Sequence, residues 1–231
     1  MTQKPTSSVR LDRKSSTTGR QQRAVESFQC AANAIGPIER DMSLFALTRG
    51  QWSMIDAILH CLDCVGPSHV SVWTWTVAEY EVQVLTRLMR DERLTGARLV
   101  IDGSARAKNK GIIADWRASF GSQSIRYVMN HAKLSLIESA SGLRLLLRGS
   151  MNLNFNPRFE QFDLTEGGPA FDMVKGVEDS LPVLADDCPG EDIYSATSLS
   201  NAFDSKTLNL FKPLFQENLQ PTDCKEEVGF I

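Results

Sequence analysis

The 231-residue chain lacks any apolar run long enough to cross a membrane, and its polar first residues lack the apolar core of an export signal. Its five cysteines are an odd number, which does not favour a disulfide framework. The C-x-x-C pattern occurs once, at Cys61 and Cys64, and a structural zinc site normally needs four ligands. Buried thiols therefore explain the pair better than metal does. We expect a cytoplasmic protein that binds no membrane and needs no metal or cofactor.

Charge is distributed unevenly along the chain. Residues 1–29 carry six Lys or Arg against two Asp or Glu, a net charge of +4, whereas residues 160–231 carry four Lys against fifteen Asp or Glu, a net charge of −11. The middle of the chain is therefore positive by about 4 charges, although the total is −3. A nucleic-acid partner is not excluded, because the local field at a site matters more than the sum.

Composition divides the chain into three parts. Residues 1–24 are polar and basic with few large apolar groups, which predicts a disordered tail. Residues 40–185 have the length and apolar content of one α/β domain. Residues 186–231 form an acidic extension, in which we expect a linker to residue 200 and one helix at 201–215.

The apolar pattern predicts helices that alternate with strands in the central domain. Helices are expected at 49–64, 78–94, 112–120 and 167–184, and strands at 69–76, 97–101, 124–129, 132–138, 143–148 and 162–165. This alternation indicates a largely parallel sheet. The short, Gly-containing link at 139–142 predicts a hairpin, so part of the sheet should be antiparallel. The predicted fold class is a mixed α/β sheet flanked by helices.

Two further groups of residues suit nucleic acid, but each has a structural explanation. Trp73, Trp75 and Trp116 can stack bases, although packing between sheet and helices explains them better. Arg106, Lys108 and Lys110 follow the predicted strand 97–101, where ligands of such sheets gather, and can bind a polyanion. A solvated charged loop accounts for these three equally well.

The most informative stretch runs from Asn130 to Asp163. His131 and Lys133 lie two apart on a predicted strand, so their side chains should face the same side. The next strand ends in Gly149-Ser150-Met151-Asn152, which brings a hydroxyl and an amide to its end. An imidazole, an ammonium group and an amide that converge on one point suit a phosphate group.

This stretch resembles the phospholipase D superfamily, whose signature is H-x-K, four residues, Asp, and then G-S-x-N. The resemblance covers about 35 residues, and Gln161-Phe162-Asp163 falls where the family often has N-x-E. The chain departs from the pattern in its acids. Glu138 replaces the Asp, ten residues separate it from Gly149, and Asp163 is shorter than Glu, with Glu160 nearby as a substitute.

The resemblance implies a metal-independent phosphodiesterase that acts through a covalent phosphohistidine. His131 would be the nucleophile, and Lys133 and Asn152 would hold the non-bridging oxygens. Ser150 would add a hydrogen bond, and an acid would orient a histidine. The implied catalytic residues are His131, Lys133, Asn152, Ser150, Asp163, Glu138 and Glu160, and the implied substrate-binding residues are Arg106, Lys108, Lys110 and Gly149.

That mechanism needs two histidines, whereas the chain has one H-x-K motif and only three histidines in total. Single-motif members of the superfamily form homodimers with one shared site, which implies the same here. The expected substrate is DNA or RNA, since single-motif members resemble nucleases. Two alternatives stay open: a nucleic-acid-binding protein that has lost turnover, and a phospholipase or phosphatidyltransferase. Trapping of a phosphohistidine tests the first alternative, and activity on liposomes tests the second.

Overall fold

The computed structural model describes residues 10–12, 21–27, 30–154 and 158–197, which form nine strands and seven helices. The strands are β1 (Arg10–Asp12), β2 (Gln21–Ser27), β3 (Met42–Thr48), β4 (Ser68–Thr74), β5 (Leu94–Asp102), β6 (Ile125–Val128), β7 (Leu134–Ser139), β8 (Arg144–Gly149) and β9 (Glu160–Glu166). The helices are α1 (Ala31–Ile35), α2 (Met54–Val65), α3 (Glu79–Arg90), α4 (Ala105–Lys108), α5 (Lys110–Phe120), α6 (Pro169–Ser180) and α7 (Gly190–Thr197). None of the helices in these ranges is long and apolar enough to span a bilayer.

All nine described strands belong to one sheet, in the order β1-β2-β3-β9-β8-β7-β4-β5-β6. The β2–β3, β4–β5 and β5–β6 pairs are parallel, and the other five are antiparallel. The predicted mixed α/β sheet with flanking helices is confirmed. The expectation of a largely parallel sheet is wrong, because the antiparallel strands β7, β8 and β9 lie in the middle, between the parallel pairs.

The main core lies between one face of the sheet and helices α1, α2, α3 and α5. Helix α2 begins with a capping box, in which the Ser53 backbone N–H donates to the Asp56 carboxylate at 2.8 Å. Its apolar side then packs on the sheet. Just before the helix, Trp52 meets Phe162 of β9 edge to face, with ring centroids 5.0 Å apart. This contact ties the start of α2 to the central strands.

Helix α6 covers the opposite face over β8, β7, β4 and β5. Phe171 packs there against Leu136 and Leu146 and forms a second, smaller apolar cluster. The helix starts at Pro169, a residue suited to the first turn because its missing N–H would have no helical partner.

A buried carboxylate fastens the other end of α6 to the sheet. Glu178 is 0% exposed and accepts hydrogen bonds from Ser71 Oγ at 2.8 Å, Trp73 Nε1 at 2.8 Å and Arg98 at 2.9 Å. A buried charge needs such partners to offset its lost hydration. Trp73 is therefore engaged in packing and hydrogen bonding, as is Trp116, which is fully buried.

Several elements at the edges of the domain were not predicted from the sequence. The expected disorder of residues 1–24 is wrong for Arg10–Asp12, which forms β1, and for residues 21–24, which belong to β2 and pair in parallel with β3. Strand β3 and helix α1 were not expected, and α7 lies inside the expected linker at 185–200. The helix expected at 201–215 lies outside the described residues.

Candidate active site

Six strands bring their ends to the same edge of the sheet. Because β4 and β7 are antiparallel, the end of β4 lies beside the start of β7, with Trp73 opposite Leu134. The end of β8 and the start of β9 join them through the pair of Gly149 and Phe162. The ends of β5 and β6 follow on the other side of β4. This shared edge carries most of the residues that the sequence singled out.

Asn130 holds the segment that carries His131. Its side chain is 6% exposed, and its Nδ2 donates to the carbonyls of Thr74 at 3.0 Å and Ala132 at 3.2 Å. Its Oδ1 accepts from the Ala132 N–H at 2.9 Å, and its own N–H donates to Asp102 at 3.1 Å. No role was predicted for Asn130 from the sequence. Only its position next to His131 could have indicated one, because its hydrogen-bond partners Thr74 and Asp102 are distant in the chain.

His131 and Lys133 lie together, as expected, although they precede β7 instead of lying on it. The His131 side chain is exposed, and Lys133 is half-buried. Lys133 Nζ donates to the His131 carbonyl at 2.8 Å and lies 3.4 Å from His131 Nδ1. Burial lowers the pKa of Lys133 below its ordinary value, and the negative charge of Glu160 partly opposes that shift.

Strands β8 and β9 approach each other closely at Gly149 and Ser150. A Cβ atom at Gly149 would lie 2.2 Å from the Gln161 carbonyl oxygen, so no larger residue fits there without a backbone shift. The Ser150 hydroxyl donates to Glu160 and accepts from the Gln161 N–H at 3.0 Å. Glu160 itself is 7% exposed. A buried carboxylate is thereby fixed next to the Lys133 ammonium.

Asp163, the other acid proposed at this position, lies further along β9. It accepts from Gln161 Nε2 at 2.9 Å and sits opposite Arg148 of β8. It lies three positions from Glu160, ~10 Å along the strand, and this odd spacing places the two side chains on opposite faces. Of the two acids, only Glu160 is brought to Ser150 and Lys133 in the part of the chain that the structure describes.

Asn152 lies in the turn after β8, which is fastened to the end of β4. The next residue, Leu153, donates its N–H to Thr74 Oγ1 at 3.1 Å and accepts from the Ala78 N–H at 3.3 Å. Asn152 is half-buried, and its Oδ1 is buried without a hydrogen-bond partner among the described residues. This oxygen is an acceptor, so it is suited to a donor group of a ligand, and only the Nδ2 group of Asn152 can donate to a phosphoryl oxygen.

Glu138 is not brought to this edge. It lies at the far end of β7, opposite His69 of β4 and Arg144 of β8, with Lys175 Nζ 3.6 Å away. It lies five positions along the chain from Lys133, a distance of ~16 Å of strand. It therefore cannot touch a phosphate group bound at His131.

The three basic residues after β5 do not lie on a loop, as the sequence suggested: Arg106 and Lys108 are on α4 and Lys110 begins α5, and their surroundings differ. The Arg106 guanidinium donates to the Cys188 carbonyl at 2.6 Å and lies over the Tyr127 ring, 5.6 Å from its centroid. It therefore holds the segment before α7 in place. Lys108 Nζ lies 6.0 Å from the centroid of the Trp75 ring, and Lys110 lines a surface pocket beside Arg106.

The cysteine pair on α2 has no metal-like surroundings. Burial raises the pKa of the Cys61 thiol, whereas Cys64 is exposed with its sulfur 3.5 Å from His60 Nε2. That same nitrogen is 2.7 Å from the Gly36 carbonyl. Among the described residues, no group of three or more His, Cys, Asp or Glu side chains is arranged to hold a metal ion.

The site thus combines an exposed imidazole, an ammonium group, an amide with an open atom and a buried carboxylate held by a hydroxyl. The imidazole can attack an electrophilic phosphorus or accept a proton. The ammonium and amide groups can hold phosphoryl oxygens. Acyl and phosphoryl groups both fit such a set, but the positive charge beside the histidine favours an anionic substrate.

No family model matches the chain, and no curated protein does. Among solved structures, the chain is similar to the crystal structure of a phospholipase D family member, Nuc from Salmonella typhimurium. The match has a TM-score of 0.37 and 14% identity, and it covers 59% of this chain and 91% of that one. At these values the likeness carries no weight for the reaction, and the resemblance to phospholipase D rests on the motif residues themselves.

Proposed function

We propose that the protein is a metal-independent phosphodiesterase of the phospholipase D type, and most specifically a nuclease that acts on DNA or RNA. The observation that carries the proposal is the meeting of the H-x-K and G-S-x-N residues at one edge of the sheet. His131 is exposed there, with Lys133 Nζ 3.4 Å from its Nδ1, and Asn152 lies in the adjoining turn, where its Nδ2 group would be the donor to a phosphoryl oxygen.

The first step would be attack by a ring nitrogen of His131 on the phosphorus. A P–N bond forms, the bond to the leaving oxygen breaks, and that oxygen keeps the electron pair and takes a proton from a general acid. Lys133 and Asn152 would hold the non-bridging oxygens while negative charge develops on them. Water then attacks the phosphorus and gives a proton to the group that acted as the acid in the first step, the P–N bond breaks, and the imidazole recovers its electron pair.

The general acid has to come from a second copy of the chain. Of the three histidines, His60 is on α2 and contacts the Gly36 carbonyl. His69 is near the start of β4, at the opposite end of the sheet from His131, and burial lowers its pKa. Neither can protonate a leaving group at His131. We therefore propose a homodimer in which the partner subunit's His131 serves as the acid, across a two-fold axis.

Cleavage of single- and double-stranded DNA and RNA in excess EDTA tests the reaction. We expect cleavage to persist without metal, and His131→Ala to lower it by about 10³-fold or more. His60→Ala is the matched control, because that ring is bonded elsewhere, and it should keep its activity. A phosphorylated His131, trapped by acid quench during turnover, would support the proposed intermediate. Its absence alongside tight binding would favour the alternative of a nucleic-acid-binding protein.

Mixed dimers test the shared site separately. Wild-type and His131→Ala chains are combined in equal amounts under conditions in which subunits exchange. If each site needs both histidines, only wild-type homodimers are active, and they are about one quarter of the total. If each chain carries its own site, about one half of the activity remains. A value near one half would overturn the shared site.

A further inference from the structure

Trp75 differs from the other three tryptophans in its surroundings. Trp52 and Trp116 are buried, and the indole of Trp73 donates to Glu178. Trp75 is 44% exposed and lies directly after β4, at the edge of the sheet that also carries His131 and Asn152. Single exposed apolar side chains are ordinary on protein surfaces, so exposure alone indicates nothing. What distinguishes Trp75 is that its exposed ring lies beside His131.

Two groups of the candidate site flank the Trp75 ring. Its centroid lies 6.1 Å from that of the His131 ring, with the two planes inclined by 50°. Lys108 Nζ lies 6.0 Å from the same centroid. The two rings are tilted and not stacked on each other, and Trp75 keeps 44% of its surface exposed although Lys108 Nζ lies over its ring, so part of the indole stays accessible beside His131.

The backbone holds Trp75 and His131 in a fixed relation. Asn130 Nδ2 donates both to the carbonyl of Thr74, next to Trp75, and to the carbonyl of Ala132, next to His131. On the other side of Trp75, Thr74 Oγ1 donates to the Thr76 carbonyl at 2.6 Å. A flat apolar surface is thereby kept about one nucleotide's width from the attacking ring, since successive nucleotides of a strand are a few Å apart.

From this arrangement we propose that Trp75 is a stacking platform for the base next to the scissile phosphate, with Lys108 bound to the neighbouring phosphate. Indole faces bind bases of any sequence, and a cation beside the ring suits the backbone that follows. The substrate is then single-stranded nucleic acid, because a paired base within a duplex has no free face unless it is flipped out. This inference rests on the proposed phosphodiesterase function and names its substrate class.

The first test is cleavage of a single-stranded oligonucleotide, a duplex of the same sequence and a strand of abasic nucleotides of the same length. We expect the wild type to prefer the single strand. Trp75→Ala should lower kcat/KM on it by about 5- to 150-fold, the loss typical of one stacked base, and should have little effect on the abasic strand. Trp75→Phe should recover most of the loss. Phe45→Ala is the matched control, because Phe45 is also 44% exposed and lies on β3, four strands away.

A binding measurement separates this inference from the proposed reaction. In the His131→Ala background, Trp75→Ala should weaken binding of the single-stranded oligonucleotide by a similar factor. If the wild type cleaves nothing but this loss is seen, the platform stands and the phosphodiesterase proposal falls. If cleavage occurs and Trp75→Ala cleaves and binds as the wild type does, the platform is overturned. A Trp75→Ala protein that is monomeric where the wild type is dimeric also overturns it, because the ring then belongs to the subunit interface.

Discussion

The side-chain amide of Asn130 donates to the Thr74 carbonyl, 3.0 Å away, and so joins the end of β4 to the segment that carries His131. These two residues are 56 positions apart in the chain. The same amide also closes a turn: its Nδ2 donates to the Ala132 carbonyl, and its Oδ1 accepts from the Ala132 N–H. Asn130 is therefore a positioning residue, since it acts through the backbone on either side of the site and contacts no reacting atom.

Replacing Asn130 by Ala should affect both stability and turnover. The buried Thr74 carbonyl and the partly buried Ala132 carbonyl lose their donor, so we expect the free energy of unfolding to fall by about 1–3 kcal/mol. Because His131 loses its fixed position, kcat should fall more than KM changes. Denaturant unfolding and steady-state kinetics measure the two effects. Gln123→Ala, an exposed position between α5 and β6, is the control and should change stability by less than about 0.5 kcal/mol. Equal kinetics for the two variants would contradict the positioning role.

We expect the pKa of Lys133 to set an alkaline limit on the binding of an anionic substrate, separate from the limit that the general acid sets on turnover. Burial lowers this pKa, so the ammonium form that binds phosphoryl oxygens is lost at a lower pH than for an ordinary lysine. Binding should therefore weaken as pH rises through the lowered value. Glu160→Gln removes the charge that opposes the shift and should move this loss to still lower pH. The measurement is the Kd of an oligonucleotide against pH in the His131→Ala background, and each variant is scaled to its own tightest binding.

Asp163→Asn is the comparison for that experiment. Asp163 lies ~10 Å along β9 from Glu160, on the other face of the sheet, so its removal should leave the alkaline limit where it is. A limit that moves with Asp163→Asn and not with Glu160→Gln would reverse the roles we give to the two acids.

Gly149 should not tolerate a side chain. An added Cβ would lie 2.2 Å from the Gln161 carbonyl oxygen. The clash would therefore involve the backbones of two paired strands. We expect Gly149→Ala to lower the free energy of unfolding by about 1–3 kcal/mol and to displace Ser150 from Glu160. Gly176→Ala is the matched control. It lies inside α6 with no atom within 4 Å of the added Cβ, and alanine should stabilise the helix by about 0.5–1 kcal/mol. We expect thermal or denaturant unfolding to show a loss of stability for Gly149→Ala and a gain for Gly176→Ala.

The two carboxylates bound to Arg98 should differ in their contributions to stability. Glu178 is fully buried and accepts three hydrogen bonds, whereas the Asp179 side chain is 51% exposed. Glu178→Ala leaves Trp73 and Ser71 without their acceptor and should lower the free energy of unfolding by about 3 kcal/mol. Asp179→Ala should cost less than about 1 kcal/mol, because water screens an exposed pair. Equal losses of stability for the two variants would mean that the ion pairs with Arg98, and not the buried hydrogen bonds of Glu178, stabilise the fold.

Local signals predicted most of the central domain. Helical spacing located α2, α3, α5 and α6, and apolar strands bounded by Gly and Pro located β4 to β9 within a few residues. The hairpin at 139–142 was predicted correctly, and Gly142 there has φ +81°, which suits glycine. Strands β2 and β3 were missed because each is recognised mainly by its neighbour in the sheet. A strand with charged and polar residues, such as Gln21–Ser27, carries little periodicity of its own.

The sequence by itself determined which groups can do chemistry: His131, Lys133, Ser150 and Asn152 are identified by type and spacing. Tertiary structure decided which others join them. It places Glu160 and not Asp163 beside Ser150 and Lys133, removes Glu138 to the far end of β7, and leaves Trp75 exposed beside His131 while Trp73 is engaged by Glu178. The reason is physical: spacing along a strand fixes which face a side chain occupies, but only pairing between distant strands fixes which side chains share an edge.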